Sequence, residues 1–516
     1  MLATTIDGVS GEGDITKLWH DHYSTLLNSN KCTKSKNDVL KVINEPLNLA
    51  CVPFSVGEVA TAIEMLKTGK SPGLDNVQAE HFKFADTRLI CLLSMLFNSI
   101  VSHGYMPQNL MKSVIVPIIK DKRGQVTDRN NYRPIAITSV SSKILELLIL
   151  ERYSDALSTT HNQFGFKEAH GTDLCIFTLK QVIEFYRLQG SPVYICYLDA
   201  SKAFDRINHW TLFSKILQRD IPTIIVRLLV FWYTHQQFCV RWGHNISSLF
   251  LTSNGVRQGG IMSPILFNVY MNDLSVKLTN LGVGCKINGI FINHLLYADD
   301  SCLLAPSPSA LQQLLSLCEE FANQNTVIFN ETKTKCMVVK PKNLKTLYIP
   351  TITLNNKPLV FTAEQKYLGV FMSSNLSDDR DILRHVRGVY SRGNMLISKF
   401  RFCSDDVKEH LFQSYCANVY GGPLWCQYKT SVYKKSVVAY NDIYRSLFKI
   451  PRGVSMSALY VQKDIDSFNV IVRKLSYGLM KRLSSSDNIL LKCITSSLFY
   501  MCYSSLKLMW NDNLYV

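Results

Sequence analysis

The chain has 516 residues, and its content of 47% hydrophobic and 11% aromatic residues excludes an intrinsically disordered protein. Its 56 Lys and Arg exceed its 40 Asp and Glu, and the net charge of +16 favours a polyanionic partner such as nucleic acid. The 15 cysteines form no Cys-x-x-Cys pair, which argues for reduced thiols and against a close-paired zinc site. The sequence shows neither a signal peptide nor a bilayer-length apolar run, so we expect an intracellular protein without membrane contact.

Hydrophobic periodicity predicts four helices and two strands in the first 192 residues. We expect the helices at 15–27, 56–66, 86–101 and near 142–153. We expect the strands at 114–119 and 133–136, on either side of a charged turn at 120–124. The Ser-Pro-Gly-Leu-Asp segment at 71–75 has the composition of a loop.

Strands and helices alternate irregularly in the rest of the chain. We predict strands at 193–198, 249–251, 289–296, 351–354 and 367–371, and helices beyond 208 and at 264–278. From 381 to the end the pattern is mostly helical. This order predicts an α+β or mixed-sheet fold and not a regular parallel α/β fold. The sequence contains neither a Gly-x-Gly-x-x-Gly nor a P-loop motif, which argues against dinucleotide and P-loop binding.

Two adjacent carboxylates lie between apolar, strand-like runs in Tyr297-Ala298-Asp299-Asp300. Neighbouring side chains on one continuous strand point to opposite faces, so these two can share a ligand only at a hairpin tip. There they could bind a divalent cation that prefers oxygen ligands. The alternative is a solvated Asp-Asp turn.

Asp199 directly follows the apolar run 193–198 and is a further candidate carboxylate. If its strand pairs with the hairpin in one sheet, Asp199 and Asp299 could hold two Mg²⁺ ions, as in-line phosphoryl displacement requires. The alternative for Asp199 is the N-cap of a helix. We expect Asp205 to be a turn or capping residue.

Five segments resemble, in order, the motifs of reverse transcriptases from non-LTR (LINE-like) retrotransposons. They are Asn-Tyr-Arg-Pro-Ile at 131–135, Tyr-Leu-Asp-Ala-Ser-Lys-Ala-Phe-Asp at 197–205, Gly-Val-Arg-Gln-Gly-Gly-Ile-Met-Ser-Pro at 255–264, Tyr-Ala-Asp-Asp at 297–300 and Gln-Lys-Tyr-Leu-Gly at 365–369. The resemblance extends from about residue 54 to residue 371.

The resemblance implies an RNA-directed DNA polymerase with two Mg²⁺ ions, or Mn²⁺ in their place, as cofactors. It would extend the 3′-end of a DNA primer or of nicked target DNA on an RNA template, using deoxynucleoside triphosphates. The implied fold is α+β, a right hand with fingers, a palm of antiparallel sheet packed on helices, and a helical thumb. We assign the N-terminal extension to 1–50, the fingers to 51–192, the palm to 193–345, the primer-grip region to 346–375, and the thumb and C-terminal region to 376–516.

The same resemblance implies roles for single residues. Asp199 and Asp299 match the metal-binding pair, and Asp300 matches a third catalytic carboxylate beside them. Lys120 and Arg133 resemble finger cations that bind the triphosphate, where an Arg suits phosphate oxygens bidentately. Lys120 could instead be a solvated turn charge.

Other matched residues face the nucleotide or the primer in the family. Phe204 matches the bulky residue that excludes a ribose 2′-hydroxyl, although an ordinary core aromatic is the alternative. Gln258 and Gly259 match the segment that contacts nucleotide and template, and adjacent glycines permit close approach. Lys333 resembles a lysine that protonates pyrophosphate, or it contacts a phosphate backbone together with neighbouring lysines. The primer grip corresponds to Tyr367, Leu368 and Gly369.

Basic residues and tyrosines recur in the C-terminal helices, and together they suit a surface that tracks nucleic acid. They are Arg384, Arg387, Arg392, Lys434, Lys435, Arg445 and Lys449, with Tyr433, Tyr440 and Tyr444. The alternative is a solvated helix face.

Two further classes of function stay open at this point. A catalytically inactive, truncated retroelement relic would keep the fold and only bind RNA. An RNA-dependent RNA polymerase is the other class, because Asp205 lies near a sugar-sensing aspartate of those enzymes, whereas Phe204 favours DNA synthesis. Because neither an endonuclease domain nor a Cys/His knuckle is recognisable, we expect a fragment of an element, located in the nucleus or cytoplasm.

Overall fold

The computed structural model describes residues 3–29, 34–45, 52–122, 124–341, 343–344 and 347–514. Up to residue 160 the elements are β1 (Thr5–Ile6), β2 (Val9–Ser10), α1 (Glu12–Leu26), α2 (Lys34–Asn44), α3 (Val56–Glu64), α4 (Ala79–Lys83), α5 (Thr87–His103), β3 (Lys112–Ile119), β4 (Tyr132–Thr138) and α6 (Val140–Arg152). From 161 to 341 they are α7 (Thr172–Leu188), β5 (Val193–Leu198), α8 (His209–Leu217), α9 (Thr223–His235), β6 (Gln237–Trp242), β7 (Asn245–Ile246), β8 (Phe250–Leu251), α10 (Ser263–Asn280), β9 (Lys286–Ile287), β10 (Ile290–Phe291), β11 (His294–Tyr297), β12 (Asp300–Ala305), α11 (Pro308–Asn325) and β13 (Lys335–Val339).

Beyond residue 347 the chain forms short strands and then helices. They are β14 (Thr353–Leu354), β15 (Lys357–Pro358), β16 (Val360–Phe361), β17 (Glu364–Tyr367), β18 (Val370–Ser373), α12 (Asp379–Phe400), α13 (Asp405–Cys416), α14 (Thr430–Phe448), α15 (Met456–Lys463), α16 (Phe468–Ser484), α17 (Ile489–Thr495), α18 (Leu498–Tyr503) and α19 (Ser505–Leu514). Short 3-10 turns occur at Gln108–Met111, Arg129–Asn131, Phe204–Arg206 and Gly422–Leu424.

The chain divides into two compact units, each built from segments that are distant in sequence. Unit 1 comprises Met1–Thr160, Ala200–Leu274 and Glu320–Ile328, and unit 2 comprises His161–Asp199, Ser275–Glu319 and Phe329–Val516.

A five-stranded sheet organises unit 1, in which β3 lies between β4 and β6 while β7 and β8 both pair with β6. β3 and β4 form an antiparallel hairpin from Ser113↔Thr138 to Ile119↔Tyr132, and β6 runs parallel to β3. Helix α1 packs on this sheet through Trp19, whose ring lies 5.1 Å from Tyr132 and 5.9 Å from Trp242. This aromatic core holds the β3–β4 hairpin in place.

A second five-stranded sheet forms the centre of unit 2, with the strand order β11-β12-β5-β13-β16. Its pairs are antiparallel except for β13 with β16. Every residue of β5 is buried, because β5 is a central strand whose sheet packs on α7. This explains why its sequence is apolar throughout.

The C-terminal helices of unit 2 contribute to two separate apolar cores. Val389 and Leu396 of α12 pack with Ile443 of α14 in the first. Leu491 and Trp510 belong to the second, which also contains the apolar residues of α7 and β5. The last helices are therefore part of the support of the central sheet.

The predicted α+β class, with an antiparallel sheet packed on helices, is confirmed, and two predicted strands need correction. The run 367–371 is a hairpin, because Leu368 and Gly369 adopt positive φ values of 44° and 84° between β17 and β18. The run 289–296 is interrupted at Asn293, whose amide donates to the Leu278 and Val283 carbonyls, both at 2.7 Å.

The division into five segments from 1–50 to 376–516 stays a prediction. Arg123 of the predicted charged turn lies outside the described residues. In the part of the chain that the structure describes, no helix is both long and apolar enough to cross a membrane.

Candidate active site

The adjacent aspartates lie at the end of a tight β-hairpin in unit 2, as predicted. Tyr297 of β11 pairs with Asp300 of β12, so Ala298 and Asp299 alone form the turn. Ala298 has φ of 57°, and both aspartates are exposed. A two-residue turn brings successive carboxylates to one end of the sheet, which a continuous strand cannot do.

The sheet register places Asp199 beside this hairpin. Leu198 of β5 pairs with Ser301 of β12, and Asp199 and Asp300 are the next residues toward the same edge. Neighbouring strands lie about 4.8 Å apart. Asp199 is not a helix N-cap, because its N–H donates to Thr334 Oγ1 at 3.2 Å and its carbonyl accepts from the Asn330 N–H at 2.8 Å. The three candidate carboxylates therefore share one end of the central sheet.

A loop at 330–334 supports Asp199 and supplies a neighbouring positive charge. The Asn330 side chain accepts hydrogen bonds from the N–H groups of Thr332 and Lys333, at 3.0 and 3.1 Å. Burial raises the pKa of the half-buried Asp199 carboxyl, and the positive charge of exposed Lys333 opposes that rise. Lys333 thus favours the ionised form of Asp199.

Gln163 and Gly165 support the hairpin, and neither residue was identified from the sequence. The Gln163 side-chain oxygen accepts from the Gly165 N–H at 2.8 Å and from the Ala298 N–H at 3.2 Å. A Cβ at Gly165 would lie 2.3 Å from the Ala298 nitrogen. The Phe-Gly-Phe sequence at 164–166 was the available signal, since a glycine between bulky residues indicates close backbone approach.

Gly165→Ala is expected to displace the hairpin turn and to lower the rate of a reaction catalysed at the carboxylates by about 10- to 100-fold, because small misplacements of reacting groups slow catalysis strongly. The measurement is the catalytic rate divided by the amount of folded protein. The matched control is Gly478→Ala in α16, where a Cβ meets nothing within 4 Å. Equal activity of the two variants would contradict the role of Gly165.

Lys120 and Arg133 belong to the β3–β4 hairpin of unit 1. Arg133 pairs with Ile118, and the Lys120 N–H donates to the Asn131 carbonyl, so both cations are on one face of the hairpin. Both side chains are exposed, and Lys120 Nζ also donates to the Asn130 carbonyl at 2.9 Å. The hairpin thus brings two cations together, as a polyphosphate requires.

Phe204, Gln258 and Gly259 also lie in unit 1. The half-buried Phe204 ring stacks on Phe267 with centroids 4.4 Å apart. The Ala136 N–H of β4 donates to the Gln258 carbonyl at 2.7 Å. Gly259 has φ of 121°, and a Cβ there would lie 2.5 Å from the Ala136 carbonyl oxygen. Gln258 and Gly259 therefore contact the hairpin that carries Arg133, whereas Phe204 packs on α10.

Asp205 lies in the 3-10 turn Phe204–Arg206, as expected, but its side chain is buried. Its side chain is 4% exposed, and it accepts from Gln258 Nε2 at 2.7 Å. Burial raises the pKa of the Asp205 carboxyl to about 6.

The predicted primer-grip residues form the β17–β18 turn of unit 2. Tyr367 is buried, with its ring 5.2 Å from that of Tyr197. The Leu368 carbonyl accepts from the Tyr420 hydroxyl at 2.5 Å, and a Cβ at Gly369 would lie 3.0 Å from the Tyr420 ring. Tyr420, which the sequence did not single out, therefore holds this turn.

The prediction that the C-terminal tyrosines lie on a nucleic-acid surface is wrong for two of them. Tyr440 and Tyr444 are each 1% exposed, because α14 buries this face against α12 and α13. Arg384 is also engaged, donating to Asp381 at 2.6 Å. Nucleic-acid contact stays a prediction for the basic residues that are exposed, which are Arg387, Lys434, Lys435 and Lys449.

The donor chemistry of the three aspartates fits a hard divalent cation. Within the described residues, no three His, Cys, Asp or Glu side chains form a ready-made metal site. Asp199, Asp299 and Asp300 offer oxygen atoms only, and Mg²⁺ is commonly held by one or two carboxylates together with water and substrate phosphates. The residues therefore fit a metal that binds with its substrate.

Residues 119–372 match the family described as reverse transcriptase (RNA-dependent DNA polymerase). This part of the chain, which contains the candidate residues from Lys120 to Gly369, is similar to the reverse transcriptase family. Enzymes of this family generally use divalent metal ions.

Several curated relatives are named as RNA-directed DNA polymerases of non-LTR retrotransposons, which confirms the predicted resemblance. The RNA-directed DNA polymerase from mobile element jockey of Drosophila funebris is 28% identical over 390 residues, covering 72% of this chain and 42% of the relative. The probable RNA-directed DNA polymerase from transposon BS of Drosophila melanogaster is 24% identical over 493 residues, covering 92% and 53%. The chain spans about half the length of these relatives.

Among solved structures, telomerase from Candida tropicalis in complex with a TWJ fragment of telomeric RNA aligns over 83% of this chain and 68% of its own. The TM-score is 0.41 and the sequence identity 13%. Apo telomerase from the same organism aligns over 83% of this chain and 74% of its own, with a TM-score of 0.41 and 13% identity.

Proposed function

We propose that the chain is the RNA-directed DNA polymerase of a retrotransposon. It extends the 3′-end of a DNA primer or of nicked target DNA on an RNA template, with deoxynucleoside triphosphates as substrates. The observation that carries the proposal is the β5–β12 register, which brings Asp199, directly after β5, beside Asp300 of β12, with Asp299 in the adjoining turn.

The carboxylates are assigned to two Mg²⁺ ions, for which Mn²⁺ can substitute. Asp199 and Asp299 would hold the ions, with Asp300 as the third carboxylate. When bound, the ions lower the pKa of the primer 3′-hydroxyl and neutralise charge on the pyrophosphate. The positive charge of Lys333 opposes the rise that burial causes in the pKa of Asp199, and Lys333 is also the candidate proton donor to pyrophosphate.

The nucleotide is assigned to residues of unit 1. Lys120 and Arg133 bind triphosphate oxygens, supported by their exposed position on one hairpin face. Phe204 stands against the sugar, and Gln258 and Gly259 contact nucleotide and template. The stacking of Phe204 on Phe267 supports its role, because a fixed ring is needed to exclude a single hydroxyl.

The primer is assigned to the Tyr367–Gly369 turn, which Tyr420 fixes through the Leu368 carbonyl. The proposed enzyme has fingers, a palm and a thumb in a right-hand arrangement. The chain is proposed to act in the nucleus or cytoplasm.

Phe204→Ala is expected to admit ribonucleotides, because removing the ring opens the space that a 2′-hydroxyl needs. The measurement is the ratio of kcat/KM for dCTP and CTP, which is expected to fall by about 100-fold or more, as steric exclusion by a side chain typically provides. Phe204→Tyr retains the ring and is the control that keeps selectivity. An unchanged ratio in Phe204→Ala would reject the gate role.

Primer extension by the full chain on an RNA template tests the proposed function. Product is expected with dNTPs and Mg²⁺, and EDTA is expected to stop it. Absence of product with both Mg²⁺ and Mn²⁺ would instead favour a relic that only binds RNA. Efficient incorporation of ribonucleotides by the unmodified chain would favour an RNA-dependent RNA polymerase.

A further inference from the structure

A dense set of hydrogen bonds in unit 1 joins the loop 204–209 to the loop 254–258. The Val256 N–H donates to the Phe204 carbonyl at 2.9 Å, and the Gly255 N–H donates to the Ile207 carbonyl at 2.8 Å. The Asn254 amide donates to the Asp205 carbonyl at 2.6 Å. The backbone on both sides of Asp205, and the backbone that precedes Gln258, are therefore fixed without help from these two side chains.

The side chains of Asp205 and Gln258 form one further bond between these loops. Gln258 Nε2 donates to Asp205 Oδ1 at 2.7 Å. Asp205 is 4% exposed, whereas Gln258 is half-buried. The bond thus connects a buried carboxylate to an amide that reaches the surface of the unit.

The chemistry of the pair determines how the amide is oriented. A glutamine amide can present either its oxygen or its NH₂ group, and the two orientations are nearly equal in shape. An ionised carboxylate only accepts hydrogen bonds, so it selects the orientation in which Nε2 faces Asp205. The Gln258 oxygen, an acceptor, is then directed away from Asp205.

We propose that Asp205 is a positioning residue that holds the Gln258 amide in this orientation, so that Gln258 offers an acceptor to a donor group of the incoming deoxynucleotide. The inference rests on the proposed function, since it assumes that Gln258 faces the nucleotide. Asp205 itself, buried behind Gln258, does not touch the substrate.

Two single substitutions of matched shape disturb the pair in opposite ways. In Asp205→Asn, the new amide can donate to Gln258 as well as accept, so both orientations of Gln258 become populated. In Gln258→Glu, two carboxylates face each other and repel. Each change is expected to raise the KM for dNTP by about tenfold, the worth of one hydrogen bond to a charged group, with a smaller effect on kcat.

Exchanging the two side chains provides the decisive variant. In Asp205→Asn/Gln258→Glu, the total charge is unchanged, the asparagine donates, and the second glutamate oxygen again offers an acceptor. The KM for dNTP is expected to return to within about threefold of the unmodified chain, since the pair is restored with its polarity reversed. A purely structural role would change the urea midpoint in the single variants and would not produce this split between KM and kcat.

The experiment measures steady-state KM and kcat, the urea midpoint, and dTTP binding to the complex of the full chain with an RNA template and a chain-terminated DNA primer. Binding needs no turnover, so it separates the two proposals. If the chain makes no product, the proposed function is contradicted. The role of Asp205 is still supported if the unmodified chain and the exchange variant bind dTTP equally well and Asp205→Asn binds it more weakly. An unchanged KM in Asp205→Asn, an exchange variant as weak as the worse single variant, or no dTTP binding at all overturns it.

Discussion

Asp199→Asn is expected to lower primer extension by about a thousandfold or more, because a neutral amide cannot replace a carboxylate as a ligand and charge partner of the two ions. The fold is expected to persist. The bonds from Asp199 to Thr334 and Asn330 use its backbone groups only. Since burial raises the pKa of this carboxyl, removing its charge also removes a cost of folding.

Single-turnover incorporation of one deoxynucleotide measures this loss, with RNA binding and the urea midpoint as checks on the fold. Asp299→Asn is expected to behave like Asp199→Asn. Asp487→Asn is the matched control, because the Asp487 side chain is 99% exposed and pairs only with Lys492 among the described residues. Substantial activity in Asp199→Asn, or an equal loss in the control, would reject the metal assignment.

Glu146→Gln is expected to destabilise the protein by about 3–5 kcal/mol, because it leaves the buried Arg257 guanidinium without a countercharge. The two side chains are 0% and 1% exposed, and Arg257 donates to Glu146 at 2.5 Å. Glu146 also accepts from the Ile261 N–H at 2.6 Å, so it supports the loop that carries Gln258. A fall in the urea midpoint is the measurement.

The double variant Glu146→Gln/Arg257→Met tests the cause of this loss. It removes the buried charge altogether, while the glutamine oxygen can still accept from Ile261. Recovery of most of the lost stability is expected, since buried pairs are replaced by uncharged groups at little cost. A single variant that is destabilised by less than about 1 kcal/mol, the range of an exposed pair, would contradict the account of Glu146.

The sheet that carries the carboxylates could be predicted from the sequence because its signals are local. β5 is a continuous apolar run that ends at Asp199, as a central strand requires. The hairpin at 297–300 lies between two apolar strands joined by two residues. Local patterns of this kind also predicted β3, β4 and the helices α1, α3, α5, α6 and α10, whereas α7 and α11 were not predicted.

The supporting contacts could not be predicted because they join segments that are distant in sequence. Gln163 reaches Ala298, and Gln258 reaches Asp205, across 135 and 53 residues. Burial also excludes a predicted surface role for residues whose secondary structure was predicted correctly. Tyr440 and Tyr444 fall within a correctly predicted helical region, but periodicity alone did not indicate that their face is covered by other helices.

Primer extension by the unmodified chain and by Asp199→Asn, purified side by side, is the most direct test of the central claim. Each is supplied with an RNA template, an annealed DNA primer, dNTPs and Mg²⁺. We predict RNA-templated DNA product from the unmodified chain and none from Asp199→Asn. Product from both proteins, or from neither with Mg²⁺ or Mn²⁺, would contradict the claim that this chain is an RNA-directed DNA polymerase whose activity depends on Asp199.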